Sequence, residues 1–242
     1  ASNRDFYQVH APAAEALLFN ELPWLEANVG EKFTVPGKED KPKRKIFLKT
    51  SSVPIEASIP ESKIGRKKPE PGDAVRVKGE FDENQHFRIF VLEHRDSESS
   101  WDVFPEIIGV VDHVNHEKRV LHFMVDRLID GVVSLANLTD SFVEGDAIAV
   151  RLSRYASKNG HSYRVLQATT THKQPGEHVK KSFCEEVRVT NGMGFTESDI
   201  FIAPPLTAKY QIADGQKISG TALMSYNKKR SFWGWKAISI QI

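Results

Sequence analysis

The sequence predicts an all-β protein made of three tandem five-stranded barrels with a short N-terminal helix. Three observations lead to this prediction: an internal repeat, apolar and polar residues that alternate with a period of two, and a glycine turn at the same place in each repeat. The chain has 242 residues, of which 40% are hydrophobic and 27% charged. It is therefore long enough for several small domains that each bury a core.

The repeat is visible in three segments that share one order of elements: apolar strand, loop, glycine turn, alternating strand, polar turn and final strand. A period of roughly 70 residues is too long for a propeller blade or a solenoid turn and fits a small barrel. The segments are 54–95, 131–169 and 199–240, and their turn glycines are Gly72, Gly145 and Gly215.

Each repeat contains five candidate strands. Alternation and enrichment in β-branched and aromatic residues predict one strand at each of 74–81, 147–155 and 217–226. Two more precede these in every repeat, at 31–35 and 45–50, at 107–114 and 119–125, and at 185–190 and 193–196. Five short antiparallel strands per unit are what an OB-fold barrel requires. We therefore predict OB-like barrels over 31–95, 106–169 and 183–242.

The segments outside the barrels are predicted from composition and periodicity. Residues 96–104 and 170–182 are polar and turn-forming and are predicted to be linkers. In the N-terminal segment 1–30, residues 13–29 are the helix candidate, with Pro23 as a kink and a position as a cap on the first barrel. The leucines on one side of this helix are Leu17, Leu18, Leu22 and Leu25.

Charge and cysteine usage narrow the class of protein. The 33 basic and 32 acidic residues give a net charge of +1, so nucleic-acid binding has to be judged from where the charges lie. The single Cys184 cannot form an intramolecular disulfide, and we expect a buried, inert thiol in a reducing, cytoplasmic compartment. No apolar run approaches the roughly 18 residues of a membrane helix, so no membrane partner is expected.

The sequence contains no recognisable catalytic motif: no phosphate-binding loop, nucleophile elbow, cysteine pair or metalloprotease helix. His113, His116 and His122 lie near Asp112, but on strands and turns this spacing does not converge on a metal ion. We therefore expect no enzymatic activity, no metal and no cofactor.

The stretches NGMGFT at 191–196 and DIFIAP at 199–204 resemble the cold-shock domain family, an OB-fold branch that binds single-stranded RNA and DNA. The family has a strand K-G-F-G-F-[IV] and, after a turn, D-[IV]-F-[VI]-H-F. The resemblance implies that Phe195 and Phe201 stack on bases, with Met193 in place of one aromatic and without the family's histidine.

The first two repeats are less similar to the family. Residues 109–123 of the middle repeat resemble the opening strands, with His113 where a tryptophan is expected and with His122 and Phe123 as stacking candidates. The first repeat keeps only the outline of the pattern.

A groove for a single strand needs flat aromatic faces for stacking, worth roughly 1–3 kcal/mol per base, and cationic rims along the phosphates. Gly192 and Gly194 would let a base approach the strand closely. The alternative is that Phe195 and Phe201 are core residues of a small barrel, with the glycines marking a bend.

Basic residues interleaved with aromatic ones occupy the predicted loops that border the binding face of an OB-fold, between strands 1 and 2 and between strands 4 and 5. This composition is typical of surfaces that bind single strands. The candidates are Lys43, Arg44 and Lys45 in the first repeat, Arg154, Tyr155 and Lys158 in the second, and Tyr226, Lys228, Lys229, Arg230, Trp233 and Trp235 in the third.

The sequence thus predicts a tandem OB-like module that binds single-stranded RNA or DNA, with RNA favoured because of the resemblance. Two alternatives are a protein–protein interaction array and an accessory region of a larger nucleic-acid-processing enzyme. The chain begins with Ala1 rather than Met, which suggests a boundary inside a larger parent protein whose other domains are further candidate partners.

Overall fold

The structure is a computed structural model that describes residues 6–8, 21–65, 68–157, 160–227 and 231–242. Within these residues the protein is all-β, with two 3-10 turns and one short helix. None of the described helices is long and apolar enough to cross a membrane.

The chain divides into two compact units. The first unit consists of residues 1–105 and 151–166, and the second of residues 106–150 and 167–242. A hairpin that starts in the second repeat therefore ends in the first unit.

The first unit contains the strands of the first repeat, paired antiparallel in the order β1-β6-β5-β2-β3-β4. The strands are β1 (Phe6–Gln8), β2 (Leu25–Val35), β3 (Lys38–Leu48), β4 (Ile55–Pro60), β5 (Ala74–Phe81) and β6 (Phe87–His94), with the 3-10 turn η1 (Glu61–Lys63) after β4. Their core includes Val29, Ile46, Leu48, Ile59, Val77 and Leu92.

The second repeat forms a sheet with the order β10-β7-β8-β9, in which β11 pairs with the other edge of β10. These elements are β7 (Ile107–Asn115), β8 (Val120–Met124), β9 (Asp130–Ser134), the 3-10 turn η2 (Leu135–Asn137), β10 (Ala147–Ser157) and β11 (Gly160–Thr170).

The third repeat forms a closed barrel with the order β12-β13-β14-β16-β15, in which β15 pairs back to β12. The elements are β12 (Lys180–Thr190), β13 (Met193–Thr196), β14 (Ile200–Ile202), α1 (Pro204–Lys209), β15 (Gln216–Asn227) and β16 (Phe232–Gln241). The core includes Phe183, Val187, Ile200, Ile202, Ile218 and Ala237.

Of the three predicted barrels, only the third is closed. In the first repeat β4 and β6 are not neighbours in the strand order. The free edge of β4 instead pairs with β10, through a parallel bridge between Ile55 and Arg154 and a 2.7 Å hydrogen bond from the Arg154 N–H to the Pro54 carbonyl. In the second repeat β9 ends the strand order. The alternation within a strand does not specify this last pairing, so sequence reasoning could not foresee it.

The three predicted glycine turns are equivalent in the structure, as the repeat requires. Gly72, Gly145 and Gly215 have φ angles of 95°, 94° and 75°, in the left-handed region that favours glycine. Each donates its N–H to a carbonyl of the first strand of its own repeat at 2.8 Å, and the acceptors are Val29, Val111 and Val187.

The residues that follow these three glycines make the same hydrogen bond in each turn. Its side-chain oxygen accepts a hydrogen bond from the backbone N–H three residues before it, which closes the turn. These residues are Asp73, Asp146 and Gln216.

The predicted N-terminal helix is wrong over its last part. β2 begins at Leu25 and pairs with β5 up to Asn28, because the apolar residues there alternate into the core of the first unit. Residues 21–24 are turn and coil rather than helix, and the remainder of the prediction, residues 13–20, lies outside the described residues.

The predicted linker 96–104 is packed rather than free. Phe104 is buried against Phe47, with ring centroids 5.0 Å apart. The buried Asn28 side chain accepts a 3.0 Å hydrogen bond from the backbone N–H of Val103. Aromatic residues in a polar stretch thus cover the outer face of β3.

Two smaller expectations also change. β12 begins at Lys180, inside the predicted linker 170–182. Cys184 is exposed, so the expected buried thiol is wrong. The reason is the alternation of β12: Phe183 points into the barrel core and the next side chain points outward.

Candidate nucleic-acid interface

Four side chains form a row across the outer surface of the closed barrel. Arg188 on β12 lies opposite Phe195 on β13. Phe195 in turn lies opposite Phe201 on β14, and Phe201 lies beside Lys236 on β16. Because paired residues point to the same face of a sheet, two cations flank two aromatic rings on one surface. We call these four residues the outer row.

The two aromatic rings of the outer row lie together and face outward. Their centroids are 5.4 Å apart with an interplanar angle of 46°, and Phe195 is 37% exposed. The residues on either side of Phe201, Ile200 and Ile202, are fully buried in the barrel. The interpretation of the two phenylalanines as core residues is therefore wrong, and they place two tilted aromatic rings on the outer surface of the barrel.

The two ends of the outer row are accessible cations. Arg188 is exposed and has no carboxylate partner among the described residues. Lys236 Nζ lies 2.8 Å from Glu144 Oε1, in an ion pair whose side chains are 41% and 36% exposed. An exposed pair of this kind contributes little, so a phosphate can compete for the lysine.

The structure changes the role of one glycine and places one further aromatic of the last hairpin. A Cβ at Gly194 would lie 2.9 Å from Val187 inside the barrel, so this glycine permits core packing rather than the approach of a base. Phe232 is 46% exposed and lies on the face of β16 that carries Lys236, since the two are four residues apart. The sequence already places Phe232 among the basic and aromatic residues of this last hairpin.

The remaining aromatics predicted in the third repeat differ in their surroundings. Trp235 is half-buried, packs on the barrel core, and has Lys181 Nζ 4.5 Å from its ring centroid. Trp233 is also half-buried and lies 5.3 Å from the exposed ring of Tyr226. Both tryptophans are thus partly covered by packing against buried residues, and their contact with nucleic acid stays a prediction. Met193 is half-buried on the outer face of β13.

Four predicted cations cannot be placed. Lys158, Lys228, Lys229 and Arg230 lie outside the described residues; in the sequence the first falls between β10 and β11 and the others between β15 and β16.

The stacking candidates of the second repeat have other roles. Phe123 is fully buried and fills the space above Gly131, where a Cβ would lie 2.7 Å from its ring. His122 is held between two carboxylates, with Nδ1 3.0 Å from Asp112 Oδ2 and Nε2 3.0 Å from Asp130 Oδ2. These hydrogen bonds, first that from Asp112, raise the pKa of His122 to about 9. The two carboxylates occupy both ring nitrogens of His122, and its contact with nucleic acid stays a prediction, whereas the buried Phe123 cannot stack on a base.

Arg44 is also not available to a ligand. It is buried, its Nε donates to Glu61 Oε1 at 2.5 Å, and its Nη1 donates to the Pro69 carbonyl at 2.9 Å. The predicted loop around it is the strand β3, in which Lys43 and Lys45 point to the opposite face from Arg44.

The structure brings four of the predicted residues together in the first unit. Lys43, Lys45, Arg154 and Tyr155 line one groove of about 1220 Å³. The sequence assigned Arg154 and Tyr155 to the rim of the second barrel, whereas the structure places this part of β10 in the first unit. Among the described residues, no cluster of three or more His, Cys, Asp or Glu side chains could hold a metal ion.

Two family models match the chain. The S1/CSD-like domain 1 of the TOTE conflict systems matches residues 101–165, and the S1/CSD-like domain 2 of the TOTE conflict systems matches residues 181–240. The chain belongs to the cold-shock/OB-fold family. Together the two cold-shock-like matches cover about half of the chain, and the second contains the whole outer row.

One solved structure similar to this cold-shock-like chain is the drosophila Unr CSD456. It has 12% sequence identity and a TM-score of 0.27, and the match covers 90% of this chain and 96% of that chain. No curated protein matches the chain.

Proposed function

We propose that the chain is a non-catalytic module that binds single-stranded nucleic acid, with RNA favoured, through the outer row of the closed barrel. The observation that carries this proposal is the juxtaposition of the exposed Phe195 ring and the half-buried, outward-facing Phe201 ring with Arg188 and Lys236 on four adjacent strands. Aromatic surfaces stack on bases of any sequence and the flanking cations attract phosphates, so the row supports binding of an unpaired strand.

The family match supports the same function. Cold-shock-like OB domains typically bind nucleic acid, and the match that contains the outer row covers residues 181–240. The predicted barrels 31–95, 106–169 and 183–242 stay part of this proposal, with the first two as open OB-like sheets. The two matching families are domains of the TOTE conflict systems, and we propose that this chain also functions in such a system.

The test measures binding and stability on the same variants. Fluorescence anisotropy with labelled 12-mers of oligo-U and oligo-dT gives the affinity of the full chain, and thermal melting gives its stability. Phe195→Ala is expected to weaken binding by roughly 1–3 kcal/mol. Because the ring is partly exposed, its stability is expected to change by less than about 1 kcal/mol.

Leu128→Ala is the matched control, because Leu128 is 82% exposed and lies outside the outer row. It should change neither quantity. Unchanged affinity in Phe195→Ala and in Phe201→Ala would contradict the proposal and favour the protein-interaction alternative. Equal affinity for oligo-U and oligo-dT would remove only the preference for RNA.

The hairpin-tip cations remain part of the proposal although they lie outside the described residues. Joint replacement of Lys228, Lys229 and Arg230 by Ala should weaken binding to all sequences alike, because phosphate contacts carry no base information. The logarithm of the affinity should also fall less steeply with the logarithm of salt, by about 0.7 for each phosphate that the variant no longer neutralises. Weaker binding confined to one homopolymer would contradict this assignment.

A further inference from the structure

The first unit contains a groove that lies outside the outer row. The groove lies where β4 and β6 remain unpaired, and the end of the β10–β11 hairpin forms its far wall. All its lining residues belong to the first unit. Its volume of about 1220 Å³ exceeds the roughly 300–1,000 Å³ of ordinary small-molecule pockets. We call it the seam groove.

The charge of the seam groove differs from that of the whole chain. Six of its lining residues are lysine or arginine and two are acidic, while the whole chain has a net charge of only +1. Such local concentration of positive charge favours a polyanion. The six cations are Lys43, Lys45, Lys63, Arg88, Arg154 and Arg164.

The Glu56 carboxylate holds two of these cations in place. Glu56 Oε1 accepts a 2.6 Å hydrogen bond from the Ser153 hydroxyl and lies 3.3 Å from Arg164 Nε, and its Oε2 lies 3.8 Å from Lys45 Nζ. The Glu56 side chain is only 11% exposed. It therefore connects β4 to the hairpin and holds two cations at the wall of the groove.

The other four cations of the groove are not neutralised. Lys43, Lys63, Arg88 and Arg154 have no carboxylate partner among the described residues. Lys43 lies opposite Phe33 in the β2–β3 register, so a cation and an aromatic ring share one face of the sheet. These cations are positioned to attract phosphates.

Aromatic rings accompany the cations on both walls. Phe81 is 49% exposed and is anchored by the buried Phe87, with ring centroids 5.1 Å apart. On the hairpin side, the guanidinium of Arg164 lies 5.1 Å from the ring centroid of Tyr155. Rings and cations in alternation suit a chain that offers bases and phosphates in turn.

We propose that the seam groove is a second binding site for single-stranded nucleic acid, separate from the outer row and completed by the β10–β11 hairpin. Lys43, Lys63 and Arg154 contact phosphates, and Phe81 and Tyr155 stack on bases. Glu56 is a positioning residue that orients Arg164 and Lys45. The proposal does not depend on the outer row, because no residue is shared between the two surfaces.

The test uses the full chain and a labelled 12-mer oligo-U. Lys43→Gln combined with Arg154→Gln should weaken binding about 10- to 100-fold, and the dependence of log affinity on log salt should fall by about 0.7 for each phosphate that is no longer neutralised. Phe81→Ala should weaken binding about 5- to 150-fold without changing the salt dependence. Lys32→Gln is the matched control, because Lys32 lies next to Phe33 on β2, is exposed and does not line the groove.

A local readout separates the two sites. Photo-crosslinking with 5-iodouridine in the oligonucleotide, followed by mass spectrometry, should label Phe81 or Tyr155 in a protein whose outer row carries Phe195→Ala and Phe201→Ala. Cross-links confined to 193–201 in the wild-type protein, with full affinity in the Lys43→Gln/Arg154→Gln variant, would overturn the seam groove and leave the outer row intact. Cross-links in the seam groove alone would overturn the outer row instead.

A protein partner is the remaining competitor for the groove. An acidic peptide that displaces no oligonucleotide, while unlabelled oligo-U displaces the label fully, supports the proposal. An acidic peptide that binds with an affinity sensitive to Lys43→Gln/Arg154→Gln, in a protein that does not bind oligo-U, would overturn it.

Discussion

Replacing Arg44 by Ala should destabilise the protein by about 3–5 kcal/mol, the usual cost of leaving a buried charge without its partner. The side chains of Arg44 and Glu61 are only 10% and 4% exposed. The substitution removes the hydrogen bond to Glu61 and the one to the Pro69 carbonyl. The carboxylate would keep only Lys68, whose half-exposed Nζ lies 3.0 Å from Glu61 Oε2.

Proton uptake by Glu61 limits this cost and makes it depend on pH. Neutralising a carboxylate with an ordinary pKa of 4.5 costs about 1.4 kcal/mol per pH unit above that value, or about 3.4 kcal/mol at pH 7. This is consistent with the range of about 3–5 kcal/mol expected for the broken pair.

The stability of the wild type and that of the Arg44→Ala variant should change with pH in opposite directions. In the wild type, burial alone would raise the pKa of Glu61, but the hydrogen bonds from Arg44 and Lys68 outweigh it and lower the pKa. Its contribution to stability is thus present above the ordinary pKa and is lost as the pH falls. In Arg44→Ala burial dominates and raises the pKa of Glu61, so stability is lost as the pH rises. The difference between the proteins should shrink by up to about 2.7 kcal/mol from pH 7 to pH 5.

Urea denaturation of both proteins at pH 7 and pH 5 measures this difference. Lys32→Ala is the control, because Lys32 lies opposite Arg44 in the β2–β3 register but is exposed, and it should change stability by less than about 0.5 kcal/mol. The double variant Arg44→Met/Glu61→Leu should recover most of the stability, since neither charge remains. A destabilisation below about 1 kcal/mol at pH 7, or an equal destabilisation at both pH values, would refute the reasoning.

The other predictions concern the second and third repeats. The pKa of His122 is raised to about 9, so the stabilising contribution of its protonated form is present below about pH 6.5 and is lost as the pH rises through 9. Denaturation at pH values across this range should show the stability decrease by on the order of 1 kcal/mol. The variant His122→Gln should not show this decrease. Phe123→Ala should cost about 3–5 kcal/mol of stability, yet leave oligonucleotide affinity unchanged below its melting temperature, as anisotropy would show. Gly215→Ala, with φ of 75° and open space around the added Cβ, should cost about 1–2 kcal/mol in thermal melting, whereas Gly220→Ala should cost more because its Cβ would meet the Ser239 carbonyl oxygen at 2.2 Å.

Some positions in the candidate site could be predicted from the sequence, and others depend on tertiary packing. The resemblance to the cold-shock pattern implied an outward position for Phe195 and Phe201, and for Phe201 the apolar Ile200 and Ile202 on either side agree with it. Arg44 and Phe123 could not be assigned in this way. Whether a strand residue faces solvent or a covered surface depends on what packs on that side, and for Arg44 it is the segment around Glu61 and Pro69.

The sequence by itself determined the strands and the three glycine turns, because both depend on local preferences. A period of two specifies which residues can share a face, and Gly72, Gly145 and Gly215 each satisfy a left-handed backbone within a few residues. Only the tertiary structure decided that the third barrel closes while β4 and β6 stay unpaired, and that residues 151–166 of the β10–β11 hairpin belong to the first unit. Strand closure joins residues distant in sequence, and the competing edges of β6 and β10 offer β4 the same backbone hydrogen bonds. Side-chain contacts such as those of Glu56 with Ser153 and Arg164 distinguish them, and these exist only in the folded chain.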